Sequence, residues 1–392
     1  MLIKKKGNNI SGFILKFNII KIMKFNIEKS TLLQALLEAS KIIPIRTTLP
    51  ILSCAQIETE KNTIKIKTTD LEQTIIVNCD AKIIEEGKTA VPINRLIELI
   101  TALKNGPFDV VVTENNELEI NSLNGNYKIT SRDPEEFPDL PETTTNKKIE
   151  ITGKNLLNII QNTGYAVSKD DLKPALCGIY INITKQKITA VSTDGHRLIK
   201  YLLTTENEEN EESSLIIPIK FLNILKSVIN KEDKITIGTG ENHIEIKYKN
   251  IYLLSRIIKE SFPDFNSVIP ENNPICAKIS TEEVIDSIKR VAIFSNKTTK
   301  QVQIHFCNNE IIVSAEDKET KSSAKEHIEC DHGGEEIIVK YNAQYLKEIL
   351  SHLNSQETNI FLSSPQTAAV FKPCSQDMNE EKTALLMPLR SN

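Results

Sequence analysis

Three stretches of this chain repeat one another, and that repetition constrains the fold more than any single motif does. Each copy opens with a short apolar segment running into an amphipathic helix: Ile27-Glu28-Lys29-Ser30-Thr31-Leu32-Leu33, then Ile151-Thr152-Gly153-Lys154-Asn155-Leu156-Leu157, then Ile279-Ser280-Thr281-Glu282-Glu283-Val284-Ile285. The period, near 125 residues, is far longer than the roughly 20–50 residues of a solenoid repeat, so each copy is a whole domain. Leu32, Leu33, Leu36 and Leu37 read as one helical stripe, with Ser30 or Thr31 placed to cap it.

A second helix starts midway through each copy, at Val91-Pro92-Ile93-Asn94-Arg95-Leu96, Ile217-Pro218-Ile219-Lys220-Phe221-Leu222 and Tyr341-Asn342-Ala343-Gln344-Tyr345-Leu346. Pro92 and Pro218 suit a helix start, where a missing N–H costs nothing. Between the helices lie runs such as Thr63-Ile64-Lys65-Ile66-Lys67-Thr68, Lys187-Ile188-Thr189-Ala190-Val191-Ser192 and Glu310-Ile311-Ile312-Val313-Ser314. Their alternation is that of half-buried antiparallel strands. A later hairpin is marked in the first copy by Asn124-Gly125. The first two copies close alike, with Ser131-Arg132 before Phe137-Pro138-Asp139 and Ser255-Arg256 before Phe262-Pro263-Asp264. Two helices against about eight strands make an α+β domain whose helices cover one side of antiparallel sheets. The expected domains are 23–145, 146–272 and 273–392.

Residues 1–22 read as a start-site extension or a disordered tail before Met23, with an N-terminal anchor as the second reading. Lys16 and Lys21 interrupt their apolar stretch and no small-residue cleavage site follows. No stretch is long enough to span a membrane. Basic and acidic residues, 48 against 52, nearly cancel, so any surface for nucleic acid must come from uneven distribution. The seven cysteines are odd in number and scattered, which suits reduced thiols in the cytoplasm. His305-x-Cys307 and His327-x-x-Cys330-x-His332 carry ligand-type residues; they read as zinc ligands or as ordinary strand and loop residues, and lack the tight paired knuckles usual for structural zinc.

The chain holds no Walker A loop, no GxGxxG after a strand, no GxSxG elbow and no HExxH. Asp194-Gly195-His196-Arg197 gathers a carboxylate, an imidazole and a guanidinium. From the residues alone it is either a catalytic cluster, as in a DNA-modifying enzyme, or a turn with a hydrogen-bonded histidine. A repeat-domain scaffold that does not touch DNA is the third possibility.

Five motifs in register bear on the choice and favour a further class: Leu49-Pro50-Ile51-Leu52, Thr69-Asp70-Leu71-Glu72, Thr193-Asp194-Gly195-His196-Arg197-Leu198, Phe262-Pro263-Asp264 and Met387-Pro388-Leu389-Arg390. Together they resemble the bacterial DNA polymerase III beta subunits, the beta sliding clamps, from Met23 to the end. The resemblance implies three tandem clamp domains, a head-to-tail homodimer closed into a ring, and helices lining the hole. It implies a processivity subunit with no active site, metal or cofactor, which encircles duplex DNA without sequence preference. Its implied partners are the polymerase III catalytic subunit, the clamp loader and other clamp-binding replication and repair proteins, all in the cytoplasm.

The same resemblance assigns residues. A groove for partner peptides comprises Leu176, Thr193, Gly195, His196, Arg197, Leu198, Pro263 and Val268, with Asn342, Tyr345, Met387, Pro388, Leu389 and Arg390 from the third domain. Ser267, Gln366 in a groove-side strand, and Ser391-Asn392 depart from commoner clamp patterns. The DNA surface takes Arg46, Lys173, Lys220, Arg95 and Asn94, the last standing where an arginine is frequent. Ring closure sets Ile293 and Phe294 opposite the hairpin strand bearing Tyr127 and Ile129. Charge supports this independently: the six helical segments sum to a positive charge in a chain of −4. The excess acid lies elsewhere, notably at Glu206, Glu208, Glu209, Glu211 and Glu212. The loop Lys169-Asp170-Asp171-Leu172-Lys173 is acidic for a surface meant to face phosphates.

Overall fold

The computed structural model describes residues 23–113, 115–205, 212–307 and 309–390. The expectations for residues 1–22, for Glu206, Glu208, Glu209 and Glu211, and for Ser391-Asn392 fall outside the described residues. Six helices appear where the repeats place them: α1 (Lys29–Ala39), α2 (Ile93–Ala102), α3 (Gly153–Thr163), α4 (Ile219–Val228), α5 (Thr281–Val291) and α6 (Ala343–Leu353). The described residues form nine strands in the first repeat and eight in each of the others. Among the described residues no helix is long and apolar enough to cross a membrane.

By contacts the chain divides into two compact units, one running to Asp70 and including Ile75–Asp139, the other holding Leu71–Thr74 and everything from Leu140 on. In the first unit a five-stranded sheet runs in the order Lys82–Glu85, Met23–Glu28, Pro107–Val112, Glu117–Ser122, Gly125–Thr130. Strand Cys54–Glu60 pairs separately with Thr63–Thr69 and Lys88–Pro92. Two local expectations change here. Helix α1 starts at Lys29, so neither Ser30 nor Thr31 caps it, and Gly106 O takes the Lys29 N–H instead. Its buried stripe is Leu32, Ala35, Leu36 and Ala39, while Leu37 is exposed. The late hairpin turns at Leu123-Asn124, because Ser122 already pairs with Gly125. The register is set by burial of Leu118, Ile120 and Ile129 on one face, and a slip of one residue would turn all three outward.

In the second unit, Lys147–Thr152, Lys234–Thr239, His243–Tyr248 and Ile251–Arg256 pair in that order. A twelve-stranded sheet carries the remaining strands of the second and third repeats. Its seam is strand Arg197–Thr204 against strand Glu380–Leu386, in register from Arg197↔Leu386 to Leu203↔Glu380. This seam fuses the second and third repeats into one unit. Successive side chains on a strand face opposite ways. Ile199, Ala384 and Leu386 therefore enter the main core with Leu346, Ile349 and Leu350 of α6. Leu198 and Leu385 point the other way, into a smaller cluster with Val191 and Val370 beneath Phe262, Phe265 and Ile269.

Candidate functional site

The candidate peptide groove falls at this seam, and its local shape follows from the sequence Thr193-Asp194-Gly195-His196-Arg197. Gly195 takes φ +89, a left-handed conformation that side chains disfavour. Thr193 Oγ1 accepts from the Gly195 N–H and donates to Arg197 O. Asp194 Oδ1 accepts from the backbone N–H of His196 at 2.9 Å and of Arg197 at 3.0 Å, the turn-forming habit of a short carboxylate.

Arg197 is 6% exposed and its donors are engaged on several sides. Its Nε lies 3.2 Å from Asp194 Oδ2, Nη1 is 2.5 Å from Glu348 Oε2 on α6, and Nη2 donates to Tyr165 O at 2.6 Å. The guanidinium carbon is 4.5 Å from the centre of the Tyr345 ring and 5.3 Å from that of Tyr165, cation–π range for both. Burial pushes the Glu348 carboxyl up, but hydrogen bonds from Gln344 and Arg197 and the charge of Arg197 outweigh it and hold the group below its ordinary value. The Tyr345 hydroxyl is raised by burial and then by Asp194.

The chain's tail arrives at the same turn. Met387 N donates to His196 O at 2.9 Å and Leu389 N to Lys340 O at 2.8 Å. Asn342 caps α6 by accepting from Gln344 N and Tyr345 N, which fixes Tyr345 so that its ring stacks on His196 at 5.9 Å. Gly195, His196, Met387 and Arg390 are exposed and Tyr345, Pro388 and Leu389 are half-buried, so these form an accessible end of the seam. Leu198 belongs to the opposite face with the segment bearing exposed Pro263 and Val268. Leu176 is half-buried in a short 3-10 turn that leads into strand Gly178–Ile183.

One expectation needs correction, the strand placement of Gln366, and the structure gives Arg197, Asp194 and His196 definite settings. Arg197 is a buried brace across the seam, with its Nε, Nη1 and Nη2 each engaged inside the chain. Gln366 lies in the turn between strands Glu357–Leu362 and Ala369–Pro373, where its N–H meets Ser364 Oγ. At Asp194 and His196 the structure forms a turn: the carboxylate serves backbone N–H groups and Arg197, while the imidazole stacks on Tyr345. Sequence reasoning missed Glu348, Tyr165 and the Phe262–Phe265 platform that meets Tyr180, with ring centres at 5.2 and 5.8 Å. The spacing of Tyr345 and Glu348, one helical turn apart, was the available signal.

Of the DNA candidates, Arg46, Asn94, Arg95, Lys173 and Lys220 are all exposed. Cys177 lies beside the backbone of Lys173, its Sγ donating to the carbonyls of Asp170 and Lys173. Burial and then Asp171 and Asp170 raise the Cys177 thiol, with Lys220 opposing them. Asp170 shapes this acidic loop by accepting from Leu172 N at 3.0 Å. At the candidate interface, Ile293 is 78% and Phe294 39% exposed, whereas Ile129 is buried in its own repeat. The Ile129 side chain is therefore turned into its own repeat and away from the surface. Among the described residues strand Gly125–Thr130 is one of the two outer strands of its sheet. Strand Ser322–Gly333 pairs with Glu310–Asp317 through Glu329 and with Ile275–Ser280 only from Cys330 on. One side of Ser322–Glu329 is thus open among the described residues.

Comparison with known proteins agrees along the chain. Models of the DNA polymerase III beta subunit N-terminal, central and C-terminal domains match residues 23–141, 150–264 and 266–390. A beta sliding clamp of Chlamydia pneumoniae is 24% identical over 370 residues, covering 94% of this chain and 99% of that one. One of Staphylococcus epidermidis is 26% identical over 380 residues, covering 94% and 100%. Among solved structures, a sliding clamp of Bartonella birtlesii bound to griselimycin superposes with a TM-score of 0.88 at 22% identity, covering 94% and 100%. The DNA polymerase sliding clamp of Bacillus subtilis gives 0.87 at 22%, with the same coverage. With all three of its repeats matched in order, the chain belongs to the DNA polymerase III beta subunit family, the beta sliding clamps.

Proposed function

We propose that two copies close head to tail into a ring around duplex DNA and tether DNA polymerase III to it, acting as a processivity subunit without chemistry of their own. The observation that carries this reading is the pair of open strand edges. Within the chain, Arg197–Thr204 completes its sheet by taking Glu380–Leu386 of the next repeat. Ser322–Gly333 holds the matching place in the third repeat but has an open side, and Gly125–Thr130 is an outer strand of the first. A second copy supplies the missing neighbour, and unmatched edges otherwise invite uncontrolled association. Ile293 and Phe294 add apolar surface beside that edge.

Sliding requires phosphate contacts that are individually weak and carry no sequence information. Scattered exposed side chains such as Arg46, Arg95, Lys173 and Lys220, with Asn94, suit that task, and retention comes from closure of the ring. The seam, with Met387, Leu389, Tyr345, His196 and the Leu198–Val268 side, offers apolar positions beside polar orienters. That chemistry fits short linear peptides of the polymerase catalytic subunit, the clamp loader and other clamp-binding proteins. All seven cysteines are free thiols, in keeping with work in the reducing cytoplasm.

Loading onto nicked circular DNA by a clamp loader, followed by linearisation, tests the reading. Release on linearisation is expected. Retention on linear DNA would argue for ordinary binding, no retention on circles for a scaffold, and turnover of DNA lost in His196→Ala for an enzyme.

A further inference from the structure

The ligand-type residues of the third repeat are not arranged as their sequence spacing suggests. His327 Nδ1 lies 3.1 Å from Glu310 Oε2, Cys330 packs towards the core, and His332 Nε2 meets Glu335 O. His305 and Cys307, two apart on strand Gln301–Cys307, share the face opposite to core-facing Ile304 and Phe306. Across the hairpin Cys307 is in register with Glu310. On the other flank Phe306 pairs with Ile337, so Glu336 arrives beside the same face. The donor atoms of His305, Cys307 and Glu336 all lie within 4.8 Å of one another. His305 Nε2 is 3.2 Å from Glu336 Oε1, and Cys307 Sγ is 4.0 Å from Glu310 Oε1.

We propose that His305, Cys307 and Glu336, with Glu310 as fourth donor, form a site for a divalent transition ion of the zinc class. Two carboxylates converge on a thiol that is only 6% exposed, and a cation there turns mutual repulsion into ligation. Zinc bonds of about 2.0–2.3 Å set tetrahedral donors roughly 3.3–3.8 Å apart, so closing His305, Cys307 and Glu336 needs a shift of about 1 Å, within reach of the exposed Glu336 side chain, and Glu310 swings in from its place 4.0 Å from the Cys307 thiol. A thiolate and an imidazole favour Zn²⁺ or Co²⁺ over Mg²⁺ or Ca²⁺. Binding converts the Cys307 thiol to a metal-bound thiolate and releases its proton to solvent. His327, held against Glu310, stands as an outer support for that carboxylate. The bound ion staples the hairpin to the start of strand Ile337–Asn342, the strand that ends at the cap of α6.

The test is Co²⁺ titration of the full chain after chelator treatment. A thiolate-to-cobalt charge-transfer band saturating at one equivalent and bleached by Zn²⁺ is expected, present in Cys374→Ser and Cys177→Ser but absent in Cys307→Ser. Glu336→Gln, a surface change that cannot unfold the strand, should weaken Co²⁺ binding about tenfold or more. No band in the wild-type chain, or a band that survives Cys307→Ser, overturns the site. If Cys307→Ser unfolds by circular dichroism, unchanged affinity in both Glu336→Gln and His305→Ala overturns it equally.

Discussion

Arg197 and Glu348 meet at 2.5 Å across the seam between the second and third repeats, the arginine 6% and the glutamate 28% exposed. Removing the arginine takes the cationic donor from Asp194 and Glu348 and a donor from the Tyr165 carbonyl together. Arg197→Ala should therefore destabilise the second unit by about 3 kcal/mol, as expected when one partner of a buried ion pair is lost. Glu348→Gln keeps an acceptor and should cost only about 1 kcal/mol. Urea unfolding followed by far-ultraviolet circular dichroism measures both, and a wild-type midpoint for Arg197→Ala would contradict the brace.

The same pair makes stability depend on pH. The folded Glu348 carboxyl is held below its ordinary value of 4.5, so the stability it contributes is present above that value. It is lost as pH falls through the lower folded value. The melting temperature of the wild-type chain should fall more steeply than that of Glu348→Gln on acidification from pH 5 to pH 3. Parallel curves would show that the carboxylate is not coupled to folding.

The repeat made the helices, most strands and the domain count legible, because apolar periodicity survives in all three copies. Pairing between repeats was not legible: nothing in Arg197–Thr204 or Glu380–Leu386 read alone announces that they are neighbours. The proposed groove residues were assigned by resemblance, but which face each side chain takes was hidden, since Arg197 and Leu198 are adjacent in sequence and opposite in the sheet. Ile129 shows the same limit. Its apolar character suited an interface equally well, and only the register Leu118↔Ile129 sends it inward.

That difference separates two substitutions at the proposed interface. Ile293→Asp places a charge on exposed surface and should yield folded monomers with an unchanged melting temperature. Ile129→Ala should leave a cavity costing about 2–5 kcal/mol and lower the melting temperature, whatever the oligomeric state. Sedimentation velocity at micromolar concentration and calorimetry read the two effects. A dimer that persists in Ile293→Asp would move the contact elsewhere.

For DNA, replacing Arg46 and Lys220 with glutamate should weaken loader-dependent retention on circular DNA while leaving the dimer intact. Each lost phosphate contact should also reduce the salt dependence, by roughly 0.9 in the slope of log affinity against log salt. Retention and slope both equal to wild type across a salt series would remove these residues from the DNA surface.

The tail carries the strongest prediction. Residues 387–390 leave strand Glu380–Leu386 and hold to the seam by two backbone hydrogen bonds, Met387 N to His196 O and Leu389 N to Lys340 O. Beside them stand Tyr345 and His196, so Met387 and Leu389 are placed to wall an apolar slot that a peptide would fill. Deleting 387–392 takes away two apolar anchors. At roughly 1.5–3 kcal/mol for each side chain fully buried on binding, that weakens a peptide by about two to four orders of magnitude, enough to erase micromolar affinity. The lost hydrogen bonds should cost the fold only about 1 kcal/mol each, and strand Glu380–Leu386 stays intact. Ile293 and Phe294 lie outside the deleted segment, so the dimer should survive. Fluorescence anisotropy with a polymerase-derived peptide and sedimentation of the same truncated protein give the answer together. Wild-type peptide affinity would show that the groove is not walled by the tail, and a truncated chain that sediments as monomer would show that the tail belongs to ring closure.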